Sequence, residues 1–273
     1  MEEIRINKDT QLCMSLAARP GNFGTRFHNF LYRELGLNYI YKAFTTRDLA
    51  AAISGIRALG IRGCAISMPF KEACIQYLDE LDSSARGIMS VNTIVNSDGH
   101  LKAFNTDYTA VFALIRAAGI PETTRFALRG SGGMAKAVAC ALKDAGFTDG
   151  AIVARNQTAG TALAEQYGFQ WKNELDNETP GLLINVTPIG MAGWSEADQL
   201  SFSENLVRAA QLIFDVVALP PETPLIQLAT KLGKKTVSGA EVIALQAVEQ
   251  FVLYTGVRPE IQLVKKAAAF ASA

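Results

Sequence analysis

The sequence predicts an α/β protein of two domains, and three observations lead to this fold class. Strand-like and helix-like segments alternate along most of the chain, a pattern typical of mainly parallel sheets. The length of 273 residues, of which 49% are hydrophobic and 19% charged, suits one large domain or two of ordinary size. A helix that ends at Gly119, with Pro121 beyond it, indicates a junction near residues 105–120.

Capping residues and turns separate the predicted elements of the first half. Thr46 or Asp48 caps a helix that ends at Gly60, and residues 96–99 form a turn. A second helix, over residues 108–118, leads to the junction. Strands in this half are predicted over residues 38–44, 63–68 and 91–95.

Strand and helix signals alternate again in the second half. Strands are predicted over residues 125–129, 151–154, 182–186 and 212–217. Helices follow up to Ala145, over residues 158–167 and over residues 223–232. The last helix is predicted to begin near Ala240 and to continue through Gly256 into the tail. The alternation predicts a doubly wound, mainly parallel sheet.

Charge and cysteine content exclude several classes of function. Lys and Arg number 26 and Asp and Glu number 26, so the chain lacks the positive charge of a nucleic-acid or membrane-surface binder. The longest uncharged stretch, residues 179–195, contains three glycines and cannot span a bilayer, and the amino terminus has no apolar signal-peptide core. The 4 cysteines form no CxxC pair and the 2 histidines complete no zinc pattern. We therefore expect reduced thiols, no bound metal and a cytoplasmic protein.

A glycine-rich turn, Gly130-x-Gly132-x-x-Ala135, follows a predicted strand and opens a predicted helix. In a dinucleotide fingerprint the first glycine makes the turn, the second lets backbone N–H groups approach the pyrophosphate, and a small third residue lets helix and strand pack closely. The helix N-terminus adds partial positive charge for the phosphates. A turn without a ligand would fit the same letters, but the strand–turn–helix context favours a Rossmann-type cofactor domain.

The end of the next strand indicates which dinucleotide binds. NAD sites place an acid there for the ribose 2′-hydroxyl, whereas NADP sites use a cation. The segment reads Ala154-Arg155-Asn156-Gln157-Thr158, without an acid. Arg155 can neutralise a 2′-phosphate, or it can be a solvated surface arginine. We expect NADP rather than NAD.

Lys71 and Asp107 are candidates for acid–base chemistry in the first domain. Lys71 lies just past a predicted strand end in a proline turn, and Asp107 begins the helix that leads to the second domain. Carbonyl reduction by a nicotinamide needs a proton donor for the developing alkoxide, and a lysine oriented by a carboxylate can supply it. The residues alone also fit a surface lysine and a helix N-cap.

At this point the sequence resembles the shikimate dehydrogenase family over nearly its whole length. Each matching motif is short, but they occur in the family's order. They are Ser67-Met68-Pro69-Phe70-Lys71-Glu72 (T-x-P-x-K-E), Val91-Asn92-Thr93, Asn105-Thr106-Asp107, Gly130-Ser131-Gly132-Gly133 (G-A-G-G), Ile184-Asn185-Val186-Thr187-Pro188-Ile189-Gly190-Met191, Asp215-Val216-Val217, Glu222-Thr223-Pro224-Leu225, and Gly239 with Gln246.

The resemblance implies an NADP-linked oxidoreductase that interconverts 3-dehydroshikimate and shikimate, a reaction of the chorismate pathway of aromatic amino acid biosynthesis. It implies a substrate domain of residues 1–106, completed by the carboxyl-terminal helix 240–273, and an NADP-binding Rossmann domain of residues 107–239. The implied catalytic pair is Lys71 and Asp107. The implied substrate-binding residues are Ser67, Asn92 and Gln246. The implied cofactor-binding residues are Gly130, Ser131, Gly132, Gly133, Met134, Val216 and Gly239, to which the strand-end segment adds Arg155 and Asn156.

The chain departs from the family where the family binds the substrate carboxylate. The family loop carries an S-x-S clamp, but residues 18–29 here contain neither serine and are two residues shorter from the proline to the His-Asn pair. Asn22 or Thr25 is the candidate replacement, with Arg26 as a source of charge. Ala218 stands where the family has a tyrosine after Asp-Val-x. The family's N-R-T cofactor segment is Asn156-Gln157-Thr158 here, and Arg155 directly precedes it.

These departures resemble a divergent, shikimate dehydrogenase-like branch. A lost hydrogen-bond partner for a substrate group typically costs about 1–3 kcal/mol, so the preferred substrate is expected to be shikimate or a related cyclic hydroxy acid, with altered carboxylate recognition. The alternative is a non-catalytic NADP-binding sensor or partner protein of the same fold. The sequence allows a monomer or a homodimer.

Overall fold

The computed structural model describes residues 6–175 and 178–272, and the chain forms two compact units. Unit 1 comprises Met1–Thr106 and Ala244–Ala273, and unit 2 comprises Asp107–Ile243. In chain order the strands are β1 (Gln11–Leu16), β2 (Tyr39–Phe44), β3 (Gly63–Ile66), β4 (Glu80–Leu81), β5 (Thr93–Ser97), β6 (His100–Phe104), β7 (Phe126–Arg129), β8 (Gly150–Val153), β9 (Gln170–Lys172), β10 (Leu182–Asn185), β11 (Leu212–Asp215) and β12 (Lys235–Val237).

The helices surround these strands in both units. They are α1 (Phe23–Glu34), α2 (Leu49–Ala58), α3 (Phe70–Ala73), α4 (Ser83–Arg86), α5 (Thr106–Ala118), α6 (Gly133–Asp144), α7 (Gln157–Tyr167), α8 (Glu204–Ala209), α9 (Pro224–Lys231), α10 (Gly239–Thr255) and α11 (Ile261–Ser272), with a 3-10 turn at Ile75–Tyr77. The Asp48 side chain accepts a hydrogen bond from the Ala51 N–H and so caps α2, as one of the two alternatives expected.

Unit 1 has a mixed six-stranded sheet in the order β2-β1-β3-β5-β6-β4. Strand β1 is parallel to β2 and β3, whereas β5 is antiparallel to β3 and β6. The alternation of strands and helices predicted a mainly parallel sheet and missed β6. The reason is the two-residue Asp98–Gly99 connection, which joins β5 to β6 as a hairpin and is too short for a parallel crossover.

Alternate residues of β1 point to opposite faces of this sheet, and each face has its own apolar core. Met14 and Leu16 pack in a cluster with α2 residues such as Ile53 and Ile56. Cys13 packs on the other face in a cluster that includes residues of α1, α10 and α11. The carboxyl-terminal helices therefore contribute to the core of the amino-terminal unit.

Unit 2 confirms the predicted Rossmann-type fold class. Its six strands are all parallel and lie in the order β12-β11-β10-β7-β8-β9. From β7 the chain continues to β8 and β9 on one side of the sheet. It then crosses back to β10, which pairs with β7 on the other side, and continues through β11 to β12. A reversal of this kind between two central strands is the usual place for a ligand in doubly wound sheets.

The prediction of one continuous final helix is wrong. Helix α10 ends at Thr255, and α11 begins at Ile261. Gly256 has a φ of 73° and Pro259 follows, so the backbone leaves the helical conformation between them. Among residues 6–175 and 178–272, no helix combines the length and apolar character needed to cross a membrane.

Candidate functional site

A cavity of about 300 Å³ in unit 2 opens at the reversal point, between the segments that follow β7 and β10. One side is formed by Gly130, Ser131 and Gly132, and the other side by residues 186–189. Arg155 and Asn156, which follow β8, complete the rim. The structure thus brings together the predicted glycine turn and the predicted 2′-phosphate residue.

The two leading glycines of the turn have different structural roles. Gly130 has a φ of +125°, and a Cβ placed on it would lie 2.8 Å from Val186 Cγ2. Gly132 is the N-cap of α6, and a Cβ on it would meet nothing within 4 Å. The turn itself therefore requires a glycine at 130, whereas the open space at Gly132 leaves the first turn of α6 accessible to a phosphate. Gly133 and Met134 form the first residues of that helix, and Met134 is half-buried.

The loop after β10 is folded by the side chains of its own motif. Asn185 Oδ1 accepts hydrogen bonds from Thr187 N at 3.1 Å and from Thr187 Oγ1 at 2.6 Å. Asn185 Nδ2 donates to the Ile189 carbonyl at 3.2 Å and to Asp215 Oδ1 at 3.0 Å. Sequence reasoning gave these residues no structural role, although a polar residue at the end of an otherwise apolar strand was the available signal. They fix the wall of the cavity.

Asp215, at the end of β11, ties this loop to the next one. Its carboxylate accepts hydrogen bonds from Thr223 Oγ1 at 2.6 Å and from Val217 N at 3.1 Å. Burial raises the pKa of Asp215 to about 6, against the opposite effect of the hydrogen bonds. Gly239 lies against this segment, because a Cβ on it would collide with the carbonyl oxygens of Val216 and Val217. The predicted cofactor residues Val216 and Gly239 thus lie in contact with each other in unit 2.

Arg155 is exposed at 73% of its side-chain surface, and its guanidinium pairs with the Glu196 carboxylate at 3.4 Å. Asn156 is the N-cap of α7 and accepts a hydrogen bond from Ala159 N at 3.0 Å. Neither Glu196 nor its approach to Arg155 could be read from the sequence, because the two residues are far apart along the chain. A carboxylate that the strand end lacks therefore approaches Arg155 from a different loop.

A second arginine, Arg129, also lines the cavity. Its Nη1 and Nη2 donate to the two oxygens of Glu174 at 2.8 and 2.6 Å, and its side chain is only 14% exposed. This bidentate pair lowers the pKa of Glu174. Arg129 is therefore held by a strong partner, unlike Arg155.

In unit 1, the predicted substrate residues lie at the edge of the sheet where β3 ends and the antiparallel β5 begins. Ser67, exposed at the end of β3, donates its N–H to Leu16 O at 3.0 Å. Ile66 N donates to Asn92 O at 2.7 Å, and Val91 N donates to Lys71 O at 2.9 Å. The backbone of Ser67, Lys71 and Asn92 therefore lies along one edge, with Lys71 on the short helix α3 after the cis Met68–Pro69 bond.

Asn92 is buried and its side-chain oxygen is saturated. Oδ1 accepts from Thr106 N at 2.7 Å, Thr106 Oγ1 at 3.1 Å and Thr93 Oγ1 at 2.8 Å. Gln250 Nε2, also buried, donates to Thr93 Oγ1 at 3.0 Å and to Asn92 O at 3.2 Å. The network fixes the orientation of the amide, so that the Asn92 Nδ2 group is the remaining donor for a ligand hydroxyl. The sequence did not single out Gln250.

The two remaining predicted residues, Gln246 and Asp107, are neighbours of Thr106. Gln246, half-buried on α10, has its Oε1 3.5 Å from Thr106 Oγ1. Asp107 follows Thr106 directly in the chain, in the first turn of α5, and is half-buried. It is the first residue of unit 2.

The loop expected to replace the S-x-S clamp leads into α1. Asn22 is exposed at the N-cap of α1 and makes no side-chain capping bond. The Thr25 hydroxyl is buried without a hydrogen-bond partner among the described residues, and the Arg26 guanidinium lies 5.6 Å from the Phe270 ring centroid. His28 stacks on Tyr41 at 4.5 Å, and burial lowers its pKa to about 3. Asn22 is exposed and Thr25 is half-buried, and Arg26 of the same loop is also exposed.

The cysteines and other metal-binding side chains form no ligand cluster in the described part of the chain. Cys13, Cys64, Cys74 and Cys140 are free and buried, and burial raises the pKa of Cys140 to about 11. No group of three His, Cys, Asp or Glu side chains within residues 6–175 and 178–272 is placed to hold a metal ion.

The parallel sheet with its cavity at the reversal point places unit 2 in the class of Rossmann-type domains. Comparison with known proteins extends this to the whole chain. Residues 23–94 match the model of the shikimate dehydrogenase substrate binding domain. The chain is 56% identical over 266 residues to a shikimate dehydrogenase-like protein of Haemophilus influenzae, covering 97% of this chain and 98% of that one.

Two further relatives are named as shikimate dehydrogenases rather than as shikimate dehydrogenase-like proteins. Shikimate dehydrogenase (NADP(+)) of Moorella thermoacetica is 35% identical over 246 residues, covering 84% of this chain and 82% of the relative. The crystal structure of shikimate 5-dehydrogenase from Thermus thermophilus in complex with NADP(H) and shikimate superposes with a TM-score of 0.85 at 28% identity, covering 96% and 99% of the two chains. The chain belongs to the shikimate dehydrogenase family.

Proposed function

We propose that the chain is an NADP-dependent oxidoreductase that interconverts 3-dehydroshikimate and shikimate, or a close cyclic hydroxy acid, with altered recognition of the substrate carboxylate. The observation that carries the proposal is the cavity lined by Gly130, Gly132 and Arg155. The open space at Gly132 and the accessible N-terminus of α6 fit a dinucleotide diphosphate, and Arg155 fits a 2′-phosphate. Bound NADPH would supply the hydride.

The roles of Asp107 and of the unit 1 residues follow from their donors and acceptors. Lys71 Nζ would donate the proton to the carbonyl oxygen as it becomes an alkoxide, and Asp107 would accept and return protons. Asn92 would bind a ring hydroxyl through Nδ2, because its Oδ1 already accepts three hydrogen bonds and the amide orientation is fixed. Ser67 and Gln246 would hold further hydroxyls. Asn22, exposed at the start of α1, is proposed for the carboxylate, with Thr25 as the second candidate.

The domain roles are proposed on the same basis. Unit 1 would bind the substrate and unit 2 would bind NADP, with the remaining cofactor contacts from Ser131, Gly133, Met134, Asn156, Val216 and Gly239. A Rossmann-type unit with a relative that binds NADP(H) and shikimate supports this division. We propose a cytoplasmic location in keeping with a small-molecule enzyme.

The test is a substrate panel with the Lys71→Ala variant. Purified protein is given shikimate, quinate or 3-dehydroshikimate with NADP(H) or NAD(H), and absorbance of the reduced cofactor is followed. We expect Lys71→Ala to reduce kcat about 10²–10⁴-fold, the usual contribution of a general acid, without a change in the Kd for NADP+. Lys42→Ala, an exposed lysine on β2 of the same unit, is the matched control and should retain full activity.

Two outcomes would contradict the proposal. Full turnover in Lys71→Ala would remove this lysine from the chemistry. Binding of NADP+ by the wild-type protein, without turnover of any compound in the panel, would instead support a non-catalytic NADP-binding sensor.

A further inference from the structure

The Glu196 carboxylate faces the cation of the cofactor cavity. Arg155 Nη1 lies 3.4 Å from Glu196 Oε1, and Nη2 lies 3.5 Å from Oε2. The Arg155 side chain is 73% exposed to solvent, whereas the Glu196 side chain is 26% exposed. The contacts are long and the arginine is largely solvated, so the pair is weak and can open.

The backbone holds Glu196 at this place. Its carbonyl accepts hydrogen bonds from Gly190 N at 2.9 Å and from Gln199 N at 3.2 Å. Ala192 N donates to Leu219 O at 2.9 Å, which ties the same loop to the segment after β11. The carboxylate is therefore presented to Arg155 by a loop with fixed ends, and its position does not depend on the ion pair alone.

The other arginine of the cavity cannot easily take over the role of Arg155. Arg129 is committed to Glu174 through two hydrogen bonds of 2.8 and 2.6 Å. An anion that enters at Arg155 thus meets one weakly paired cation and the carboxylate of Glu196 beside it. A phosphate dianion must displace that carboxylate and remain close to its negative charge.

We propose that Glu196 sets the preference between NADP and NAD. Its carboxylate competes with the 2′-phosphate of NADP for Arg155, and it accepts a hydrogen bond from the ribose 2′-hydroxyl when the ligand is NAD, the role of the acid in NAD sites. The inference rests on the proposed function, because it assumes that the adenosine end of the cofactor lies at Arg155. It makes the chain a moderate rather than a strict discriminator between the two cofactors.

The test measures binding of two cofactor fragments, so that catalysis is not involved. Calorimetric Kd values for adenosine 2′,5′-bisphosphate and for 5′-AMP are compared in the wild-type protein and in Glu196→Gln. We expect the variant to bind the bisphosphate about two- to tenfold more tightly and 5′-AMP equally or less tightly. Because the competition is between partly solvated charges, the gain should shrink at high ionic strength.

Asp198→Asn is the matched control, since Asp198 lies in the same loop and its removal changes the net charge equally. An equal gain in Asp198→Asn would show a general effect of charge and overturn the inference. An unchanged ratio of the two Kd values in Glu196→Gln, in a protein that binds NADP+, would overturn this inference alone. If the wild-type protein binds neither NADP+ nor the bisphosphate, the proposed cofactor site fails together with it.

Discussion

The Asp215 carboxyl group ends β11 among hydrogen-bond donors from Thr223, Val217 and Asn185. Burial nevertheless raises its pKa from 3.8 to about 6. Because the folded pKa exceeds the unfolded one, the stability associated with this group is fully present below 3.8 and is lost as the pH rises through about 6. The loss is about 3 kcal/mol at about 1.4 kcal/mol per pKa unit.

We therefore expect the wild-type protein to lose stability relative to Asp215→Asn between about pH 4 and about pH 7. The reason is that asparagine has no proton to release in this window. Urea midpoints of both proteins at the two pH values measure the difference, and Asp198→Asn should follow the wild-type curve. A constant difference between wild type and Asp215→Asn would show that the folded pKa is not raised.

At the scale of elements, the two glycines of the turn between β7 and α6 have different expected roles. Gly130 is needed for the fold, and Gly132 is needed for cofactor binding. Gly130→Ala would force an L-residue to a φ of +125° and towards Val186 Cγ2, so we expect a loss of about 1–3 kcal/mol of stability. A Cβ at Gly132 meets nothing within 4 Å, so we expect Gly132→Ala to lose less stability, at most about 1 kcal/mol, because alanine is a poorer N-cap than glycine. Its methyl group would instead occupy the space of the cofactor diphosphate, and we expect about a tenfold weaker Kd for NADP+.

Thermal melts and NADP+ titrations separate the two effects. Gly55→Ala is the control, because Gly55 lies in α2 of unit 1 with open space for a Cβ. It should be stabilised by about 0.5–1 kcal/mol and bind NADP+ normally. Equal NADP+ affinity in Gly132→Ala and wild type would contradict the assignment of the diphosphate to this turn.

The elements themselves were largely predictable from local pattern. The glycine turn, the strand before it and the helix after it are encoded within one continuous segment, Phe126–Asp144, and the structure has all three. Strands β1, β4, β9 and β12 and helix α1 were not predicted, and neither were strand β6 and the break after Thr255. In the last two cases a short local signal, Asp98-Gly99 or Gly256 with Pro259, outweighed the longer periodic pattern.

At the scale of the whole molecule, unit 1 is built from both ends of the sequence. Phe251 and Tyr254 of α10 are fully buried in the cluster with Phe27 and Leu31 of α1. We expect Phe251→Ala to cost unit 1 about 3–5 kcal/mol, the usual cost of removing a buried phenylalanine. Phe270→Ala is the matched control, since this ring is 45% exposed, and it should cost less than about 1 kcal/mol.

Hydrogen exchange followed by mass spectrometry locates the effect. In Phe251→Ala, exchange should rise in β1–β3 and not in β7–β12, because the two sets of strands belong to different units. An equal rise in hydrogen exchange in both units would show that α10 does not stabilise unit 1 specifically.

In the candidate site, too, residues within short motifs could be predicted, whereas partners that are far apart in the sequence could not. Gly130, Lys71, Asn92 and Arg155 were predicted from motifs, because each motif carries its residue types within a few positions. The supporting partners were not, since Asn185 finds Asp215 and Thr223 only after two strands lie side by side. Glu196 likewise reaches Arg155 through a loop from another strand.

The sequence by itself determined the alternation of strands and helices, the dinucleotide-type turn and the family of this protein, because these are encoded in neighbouring residues and in ordered motifs. Only the tertiary structure decided the mixed sheet of unit 1, the contribution of α10 and α11 to the amino-terminal core, and the acid opposite Arg155. The physical reason is that hydrogen bonds, ion pairs and apolar contacts act over a few ångströms in space. Which distant residues come within that range depends on strand order, and strand order is a property of the whole fold.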